Sequence, residues 1–313
     1  MAMTLSRPKY TLARCGCGQL LYLSPPPSPS DLNAMYVQHN QFGDEYTDPK
    51  RAASILGYMT DALERIAVTR GWPREREVAI LEVGAGLAWM CRAAKARNAA
   101  CVTVAQDVSP EAATRCAWVD RYLHGSVDDP RLDTNAPYDV ISLTHVIEHV
   151  VEPVATLRRC LALLRTGGVV FMTAPYRPRG WRDDAPDLRR FEAYSYNHVP
   201  AHVQYFAEGS MRRLVAAAGG RLAHWSHAHD GGQAFEAWIT GAQDAGVNRR
   251  VRDGRMHRMF RRARRVIGDL LPGARRRLTR TLCGTAHDGL SGPVHARTIP
   301  GRDGAESSPS DAL

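Results

Sequence analysis

Titratable side chains are concentrated at two places in the second half of this chain. His145, Glu148 and His149 directly follow an apolar segment, residues 138–144, and His198 and His202 form a second group further on. A neutral imidazole can accept a proton near pH 7, and imidazole and carboxylate groups both bind divalent metals. These residue types indicate either proton transfer or a metal site.

A glycine turn earlier in the chain predicts a ligand site. Segment 78–83 is typical of a short buried strand, Gly84-Ala85-Gly86 is typical of a turn, and a helix is predicted to begin near residue 87. Glycine lets the backbone approach a ligand, and a helix N-terminus offers N–H donors. Glu82 precedes the turn and would repel a pyrophosphate. A sulfonium cofactor with an amino-acid tail and a ribose fits this position better.

The second apolar segment, residues 100–106, ends at Asp107. A doubly wound α/β fold presents a carboxylate to ribose hydroxyls at the carboxyl end of such a strand. The alternative is that Asp107 caps the helix predicted to begin near Pro110, but Ser109 is better placed for capping. The pattern therefore favours a ribose-binding role for Asp107.

Four blocks of sequence together resemble class I S-adenosylmethionine-dependent methyltransferases. They are Glu82-x-Gly84-x-Gly86, Asp107, the segment YDVISLTHVIEHV and the segment LLRTGGVVFMTAP, and they span about residues 78–175. The resemblance implies S-adenosylmethionine as the cofactor. The cofactor-binding residues that it implies are Glu82, Gly84, Gly86, Asp107, Ser126, Val127 and His145.

Two positions depart from the pattern of this family. Ala88 stands where a third glycine is common, and we expect alanine to be harmless at the start of a helix. Ser126 stands where an aspartate often contacts the adenine amine, and its hydroxyl can still accept one hydrogen bond. Neither departure removes the expectation of the cofactor.

The histidine-rich segment after residue 144 has two interpretations. In the first, His145 closes over the methionine part of the cofactor, and the catalytic base is one of His149, His198 and His202. In the second, the segment holds a divalent metal. It resembles that of ubiquinone-pathway O-methyltransferases and small-RNA 3′-terminal methyltransferases, which have a glutamate in place of His145. A metal is compatible with this sequence, but we do not expect one.

Strands that alternate with helices define the predicted fold class. Further strands are predicted at residues 121–124, 138–144, 169–174, 222–226 and 234–240, and helices at 49–70 and 153–164. The last two strands form an antiparallel hairpin. The expected fold is therefore α/β, with a doubly wound, mostly parallel seven-stranded sheet of the Rossmann-like methyltransferase type. A small N-terminal cap and a basic C-terminal helix plus tail complete it.

Changes in composition divide the chain into four predicted parts. Residues 1–47 are a cap segment, 48–242 the methyltransferase domain, 243–283 a basic amphipathic helical region and 284–313 a disordered tail. The cap carries Cys15 and Cys17 and resembles half of a zinc ribbon, but two cysteines cannot fill a tetrahedral zinc site. Segment 177–192 is too long for a simple connection and favours a substrate lid, with a solvated loop as the alternative.

The formal net charge of +9 is concentrated in an arginine-rich region, residues 249–280. Within it, segment 255–271 places arginines on one helical face and apolar residues on the other. This pattern favours peripheral contact with a membrane or an acidic partner, with packing on the protein itself as the alternative. The absence of an accompanying aromatic platform argues against nucleic acid. We expect a cytoplasmic location, extending to peripheral contact at the inner membrane face, because no signal or spanning segment is evident.

The expected function is methyl transfer from S-adenosylmethionine to a hydroxyl or an activated carbon of a small molecule. A sugar, a glycan precursor or a secondary metabolite is the expected acceptor. RNA methylation is one alternative. A non-catalytic binding or scaffold role is another, although the intact glycine turn and Asp107 argue against it.

Overall fold

Two β-sheets build the protein in the computed structural model, which describes residues 10–16, 19–38, 48–178, 194–227 and 233–244. The strands within these residues are β1 (Thr11–Arg14), β2 (Leu20–Ser24), β3 (Ala79–Val83), β4 (Val102–Asp107), β5 (Arg121–His124), β6 (Tyr138–Thr144), β7 (Leu164–Pro175), β8 (Gln204–Phe206), β9 (Gly220–His227) and β10 (Ala234–Gly241). The larger sheet has seven strands in the order β5-β4-β3-β6-β7-β10-β9. Strands β3 to β7 are parallel, and β10 pairs antiparallel with β7 and β9. The predicted sheet and its terminal hairpin are confirmed.

Helices cover both faces of the seven-stranded sheet. They are α2 (Pro49–Arg70), α3 (Trp89–Arg97), α4 (Pro110–Ala113), α5 (Pro153–Leu163) and α6 (Glu208–Ala217), and α1 (Pro29–Gln38) lies in the N-terminal segment. Successive strand residues enter opposite cores because strand side chains alternate. Ile80 packs in the core beneath α2 and α3, whereas Leu81 packs in the core beneath α5 and α6. Burial on both faces explains why the central strands are almost continuously apolar.

Helix α2 begins and ends at the residues that its sequence predicts. The Asp48 carboxylate accepts a hydrogen bond from the Lys50 backbone N–H, and Pro49 occupies the first turn. Gly71 ends the helix in the left-handed conformation, with φ of 67°. Met59, Leu63 and other apolar residues of one face are buried against the sheet.

Strand β7 starts earlier than the sequence predicts. Leu164 already pairs with Tyr138, and the register then jumps so that Val169 pairs with Val140. Gly167 and Gly168 lie in this interruption. The extra residues form an irregularity within the strand instead of a loop before it.

The smaller sheet has three antiparallel strands in the order β1-β2-β8. It combines the segment predicted as a cap with residues 204–206 of the predicted methyltransferase domain. A third apolar core accompanies it, separate from the two cores of the large sheet. The boundary after residue 47 stays a prediction.

Several predicted features lie outside the described residues. They include Cys17 of the segment that resembles half of a zinc ribbon, most of segment 177–192, the connection between the last two strands at residues 230–232, the arginine-rich segment 255–271 and the tail 284–313. Among the described residues, no helix is both long enough and apolar enough to cross a membrane.

Candidate active site

The glycine turn after β3 requires a residue without a side chain. Gly84 has φ of 59°, a left-handed conformation that costs other L-residues roughly 1–2 kcal/mol. A Cβ atom at this position would lie 2.6 Å from Cγ2 of Val146. The turn therefore packs tightly against the segment that follows β6, and glycine is needed for both its backbone and its space.

The expectation that alanine is harmless at position 88 is wrong. Ala88 precedes helix α3 with φ of 51° and is fully buried. Alanine in the left-handed region costs roughly 1–2 kcal/mol, so it is not harmless here. Glycine, which is common at this position in the family, would relieve this strain. Ala88 keeps its strained conformation because the surrounding core encloses it.

Asp107 ties the glycine turn to the end of β4. One carboxylate oxygen accepts a hydrogen bond from the Gly86 backbone N–H at 2.8 Å, and the other accepts from the Ser109 N–H at 2.7 Å. Ser109 itself forms no side-chain cap to α4, so Asp107 satisfies a backbone donor at the start of this helix. Asp107 also lines a cavity. Capping of the helix and exposure to the cavity were alternatives in the sequence, and Asp107 does both.

Glu82 points away from the cavity, toward the N-terminus of α3. Its carboxylate accepts a hydrogen bond from the Cys91 backbone N–H at 3.0 Å and is 3% exposed. Burial raises the pKa of Glu82 to about 7, although the backbone hydrogen bonds oppose this shift. Glu82 therefore supports the helix that follows the glycine turn.

This shifted pKa predicts a pH-dependent stability. The unfolded chain releases the Glu82 proton near the ordinary value of 4.5, whereas the folded chain retains it to about pH 7. The free energy of unfolding therefore falls as pH rises from about 4.5 to about 7, by about 3 kcal/mol in total. Urea unfolding of wild type and Glu82→Gln from pH 5 to 8 should show a stability difference that shifts in favour of the variant as pH rises. A constant difference would contradict the buried-carboxylate assignment.

A cavity of about 300 Å³ lies at the carboxyl ends of β3, β4 and β6. Of the seven predicted cofactor residues, five line it: Gly84, Asp107, Ser126, Val127 and His145. Glu82 and Gly86 do not line it, because the Glu82 carboxylate faces α3 and the Gly86 N–H binds Asp107. This is the position at which doubly wound folds bind their ligands.

Several residues that line the cavity were not predicted from the sequence. Gln106 and Val108 flank Asp107, so their proximity to that residue could have identified them. Thr156 comes from helix α5 and has no signal in the local sequence. Together with Val146 and Val150 these residues give the cavity a largely apolar wall beside a few polar groups, as is usual for small-molecule sites.

Glu148 forms the centre of the predicted histidine cluster. It is fully buried, and one of its oxygens lies 3.2 Å from Nδ1 of His145 and 3.9 Å from Nε2 of His149. His145 has φ of 53°, a strained conformation for a non-glycine residue. The tip of β6 is therefore bent so that His145 and His149 approach the same carboxylate.

His202 completes the cluster from a distant part of the chain. Its ring centroid lies 4.6 Å from that of His149, and the residue is 3% exposed. Nδ1 of His202 lies 2.8 Å from the Tyr196 carbonyl oxygen, and Nδ1 of His149 lies 2.9 Å from the Ala201 carbonyl oxygen. Because a carbonyl can only accept, each Nδ1 carries the proton and each Nε2 carries the lone pair in the neutral ring.

His198 occupies a different environment from the other two catalytic candidates. Its ring lies 4.7 Å from that of His202, but the residue is exposed and does not line the cavity. His149, in contrast, both lines the cavity and contacts His202. The structure thus brings His149 and His202 together and leaves His198 at the surface of the cluster.

Burial sets the charges of the cluster. It lowers the pKa of His149, and it lowers the pKa of His202 to about 3. Burial opposes the charge on Glu148, but the hydrogen bond with His145 and the neighbouring histidines outweigh it and hold the pKa of Glu148 below its usual range. At neutral pH the cluster holds neutral His149 and His202 beside an ionised Glu148.

The cluster could also hold a metal ion. Glu148, His149 and His202 each offer one ligand atom, and these atoms lie within 4.8 Å of one another. The second Glu148 oxygen is buried and has no hydrogen-bond partner within the described part of the chain. Histidine metal ligands commonly donate their other nitrogen to a carbonyl, as both histidines do here. One carboxylate and two imidazoles would suit zinc, manganese or iron better than magnesium.

The sheet order, the glycine turn after β3 and the carboxylate at the end of β4 define a Rossmann-like methyltransferase fold. The family model described as "Methyltransferase domain" matches residues 51–224. This match covers more than half of the chain, so the protein belongs to that family. It is a methyltransferase-domain protein with its cavity where the fold binds ligands.

Curated relatives match a short part of the chain. The ubiquinone biosynthesis O-methyltransferase of Vibrio parahaemolyticus is 33% identical over 52 residues, which are 17% of this chain and 22% of the relative. The enzyme of the same name from Vibrio vulnificus (strain YJ016) matches to the same extent. The chain therefore matches about a fifth of the length of these relatives.

Solved methyltransferase structures are similar over a longer stretch. Magnesium protoporphyrin IX methyltransferase from Synechocystis PCC 6803, solved with bound SAH, is 10% identical with a TM-score of 0.49, covering 69% of this chain and 100% of its own. The 1,6-didemethyltoxoflavin-N1-methyltransferase from Burkholderia thailandensis is 18% identical with a TM-score of 0.47, covering 75% and 96%.

Proposed function

We propose that this protein transfers a methyl group from S-adenosylmethionine to a hydroxyl group of a small molecule. The observation that carries this proposal is the position of His149. It lines the cavity that begins at the glycine turn, and it also belongs to the buried cluster with Glu148 and His202. The neutral imidazole of His149 is therefore accessible from the ligand cavity.

The cavity has the features that the cofactor needs. Asp107 would accept hydrogen bonds from the ribose hydroxyls, Ser126 and Val127 would lie along the adenine, and His145 would lie near the methionine part. Gly84 lets the turn pack against Val146, and both residues line the cavity. The bound cofactor supplies an activated methyl group on its sulfonium. The protein has to position the acceptor in line with it.

His149 is the proposed base. Its Nδ1–H donates to the Ala201 carbonyl, which orients the ring and leaves the Nε2 lone pair to accept the acceptor's hydroxyl proton. The ionised Glu148 beside it stabilises the imidazolium that forms. His202 packs against the same ring and restricts its orientation. His198, exposed at the edge of this group, is the weaker candidate.

A metal-assisted version of the same reaction is the second candidate, because Glu148, His149 and His202 each place one ligand atom within 4.8 Å of the others. In that version a metal held by Glu148, His149 and His202 would lower the pKa of the acceptor hydroxyl.

The RNA alternative depends on the arginine-rich helix, which lies outside the described residues. The scaffold alternative does not explain why the cavity and the histidine cluster share His149.

The experiment that tests the proposal is S-adenosylhomocysteine formation with a panel of phenols, catechols, sugars and nucleotide sugars, and with total cellular RNA as a separate acceptor. The curated relatives are named O-methyltransferases, which supports oxygen as the first acceptor atom to test. The assay is run on purified protein as isolated, after chelation, and with added zinc or manganese, and metal content is measured on the same samples. Turnover that survives chelation supports His149 as the base, whereas turnover restored only by metal supports the metal-assisted version. Turnover of an RNA but of no small molecule would overturn the proposed substrate class.

A further inference from the structure

The N-terminal hairpin pairs with the strand that follows His202. Strands β1 and β2 are antiparallel, and β2 continues onto β8 with Leu21 opposite Tyr205. The Leu23 N–H extends this pairing by donating to the Val203 carbonyl at 3.0 Å. The hairpin therefore reaches the residue directly after His202.

The same short segment is bonded to the histidine cluster on its other side. The Val203 N–H donates to the Glu148 carbonyl at 2.8 Å. Val203 is thus held between Leu23 of the hairpin and Glu148 of the cluster. Within the described residues, all three residues of β8 pair with β2. On its other side β8 has a single bridge, between Phe206 and Tyr176, which follows β7.

A separate apolar core makes this arrangement rigid. Leu12, Leu21 and Leu23 of the hairpin are each at most 2% exposed, and Val203 and Tyr205 pack with them. The partly buried side chain of Val151, just beyond His149, also packs against this core. The core therefore forms only when the hairpin, the His202 segment and the end of the His149 segment meet. A three-residue strand such as β8 has little stability of its own.

We propose that the β1–β2 hairpin is a positioning element of the active site, which holds His202 against Glu148 through Leu23. Leu23 is the central contact, because its backbone binds Val203 and its side chain fills the small core. The effect on turnover rests on the proposed function, whereas the placement of His202 does not. None of the described hairpin residues lines the cavity, so the two effects can be separated.

The test is the Leu23→Ala variant, with diethyl pyrocarbonate modification of each histidine measured by peptide mass spectrometry in buffer containing EDTA. In wild type, buried His202 should react at least about tenfold more slowly than exposed His198, which is an internal reference. In the variant, His202 should react nearly as fast as His198. Calorimetric titration with S-adenosylhomocysteine should give a Kd within about threefold of wild type, because the cavity is intact. With an active acceptor, kcat should fall about 100-fold, as misplaced catalytic groups commonly cause.

Two further variants separate positioning from general loss of stability. Leu63→Ala removes an equally buried leucine from α2, in a different core, and should leave His202 protected. Leu23→Ile keeps the volume and the backbone bond, and should restore protection. Protection of His202 that persists in Leu23→Ala would overturn the proposal, as would exposure of His202 in Leu63→Ala to the same extent. If wild type binds no S-adenosylhomocysteine but the modification pattern is as expected, the proposed function fails and the positioning role stands.

Discussion

Replacing His149 by alanine is expected to lower kcat by about 10²–10⁴-fold, the usual contribution of a positioned general base. The Kd for S-adenosylmethionine should change by less than about tenfold, because Asp107 and the glycine turn, the proposed cofactor contacts, retain their places. Steady-state assays of S-adenosylhomocysteine release and calorimetric titration measure the two quantities separately. His198→Ala is the matched comparison. It removes an exposed histidine of the same group and should lower kcat far less.

The pH profile gives an independent check on His149. Burial lowers the pKa of His149 from its ordinary value of 6.5, so the proposed base loses its proton more readily than a free imidazole. The acidic limb of kcat/KM in wild type should therefore lie below pH 6.5. A normal kcat in His149→Ala, or an acidic limb above that value, would contradict the assignment.

Gly84→Ala is expected to weaken cofactor binding by at least about 100-fold, which corresponds to roughly 3 kcal/mol. The new methyl group would lie 2.6 Å from Cγ2 of Val146, and the backbone has φ of 59°. The collision moves Val146, which lines the cavity beside His145. Calorimetric titration with S-adenosylmethionine and urea unfolding measure the effects on binding and on stability.

Two controls distinguish the collision from backbone strain alone. Gly167 has φ of 79°, and a Cβ there would meet no atom within 4 Å. Gly167→Ala should therefore lose roughly 1–2 kcal/mol of stability and bind the cofactor normally. Adding Val146→Ala to Gly84→Ala removes the colliding atoms and should restore part of the affinity. Equal loss of binding in Gly84→Ala and Gly167→Ala would show that the contact with Val146 is unimportant.

The large sheet was predictable because its signals are local. Each central strand is an apolar segment of the right length, and each is followed by a turn or a helix start, so β5 and β6 begin and end where the sequence predicts. The position of Asp107 at the end of β4 was predictable for the same reason, since the residue directly follows an apolar segment. The interrupted register of β7 was not, because it depends on how Tyr138 and Val140 pair with a neighbouring strand.

Features formed between distant segments could not be read from the sequence. The meeting of His149 with His202 depends on a backbone bond between Glu148 and Val203. The pairing of the N-terminal hairpin with β8 is equally non-local, and a composition-based boundary at residue 47 does not reveal it. Glu82 illustrates another limit. Its position beside the turn suggested a ligand contact, but its side chain satisfies backbone donors of α3.

Calorimetric titration with S-adenosylmethionine, comparing wild type with Asp107→Ala, is the sharpest test of whether this cavity binds the cofactor. Asp107 anchors Gly86 and Ser109 by two hydrogen bonds and faces the cavity. We expect wild type to bind and the variant to bind at least about 100-fold more weakly, because bonds to a charged group contribute about 1.5–3 kcal/mol each. Asp61→Ala, which removes an exposed carboxylate from α2, should bind like wild type. Absence of binding in wild type, or equal binding in the Asp107 variant, would show that this cavity is not the cofactor site.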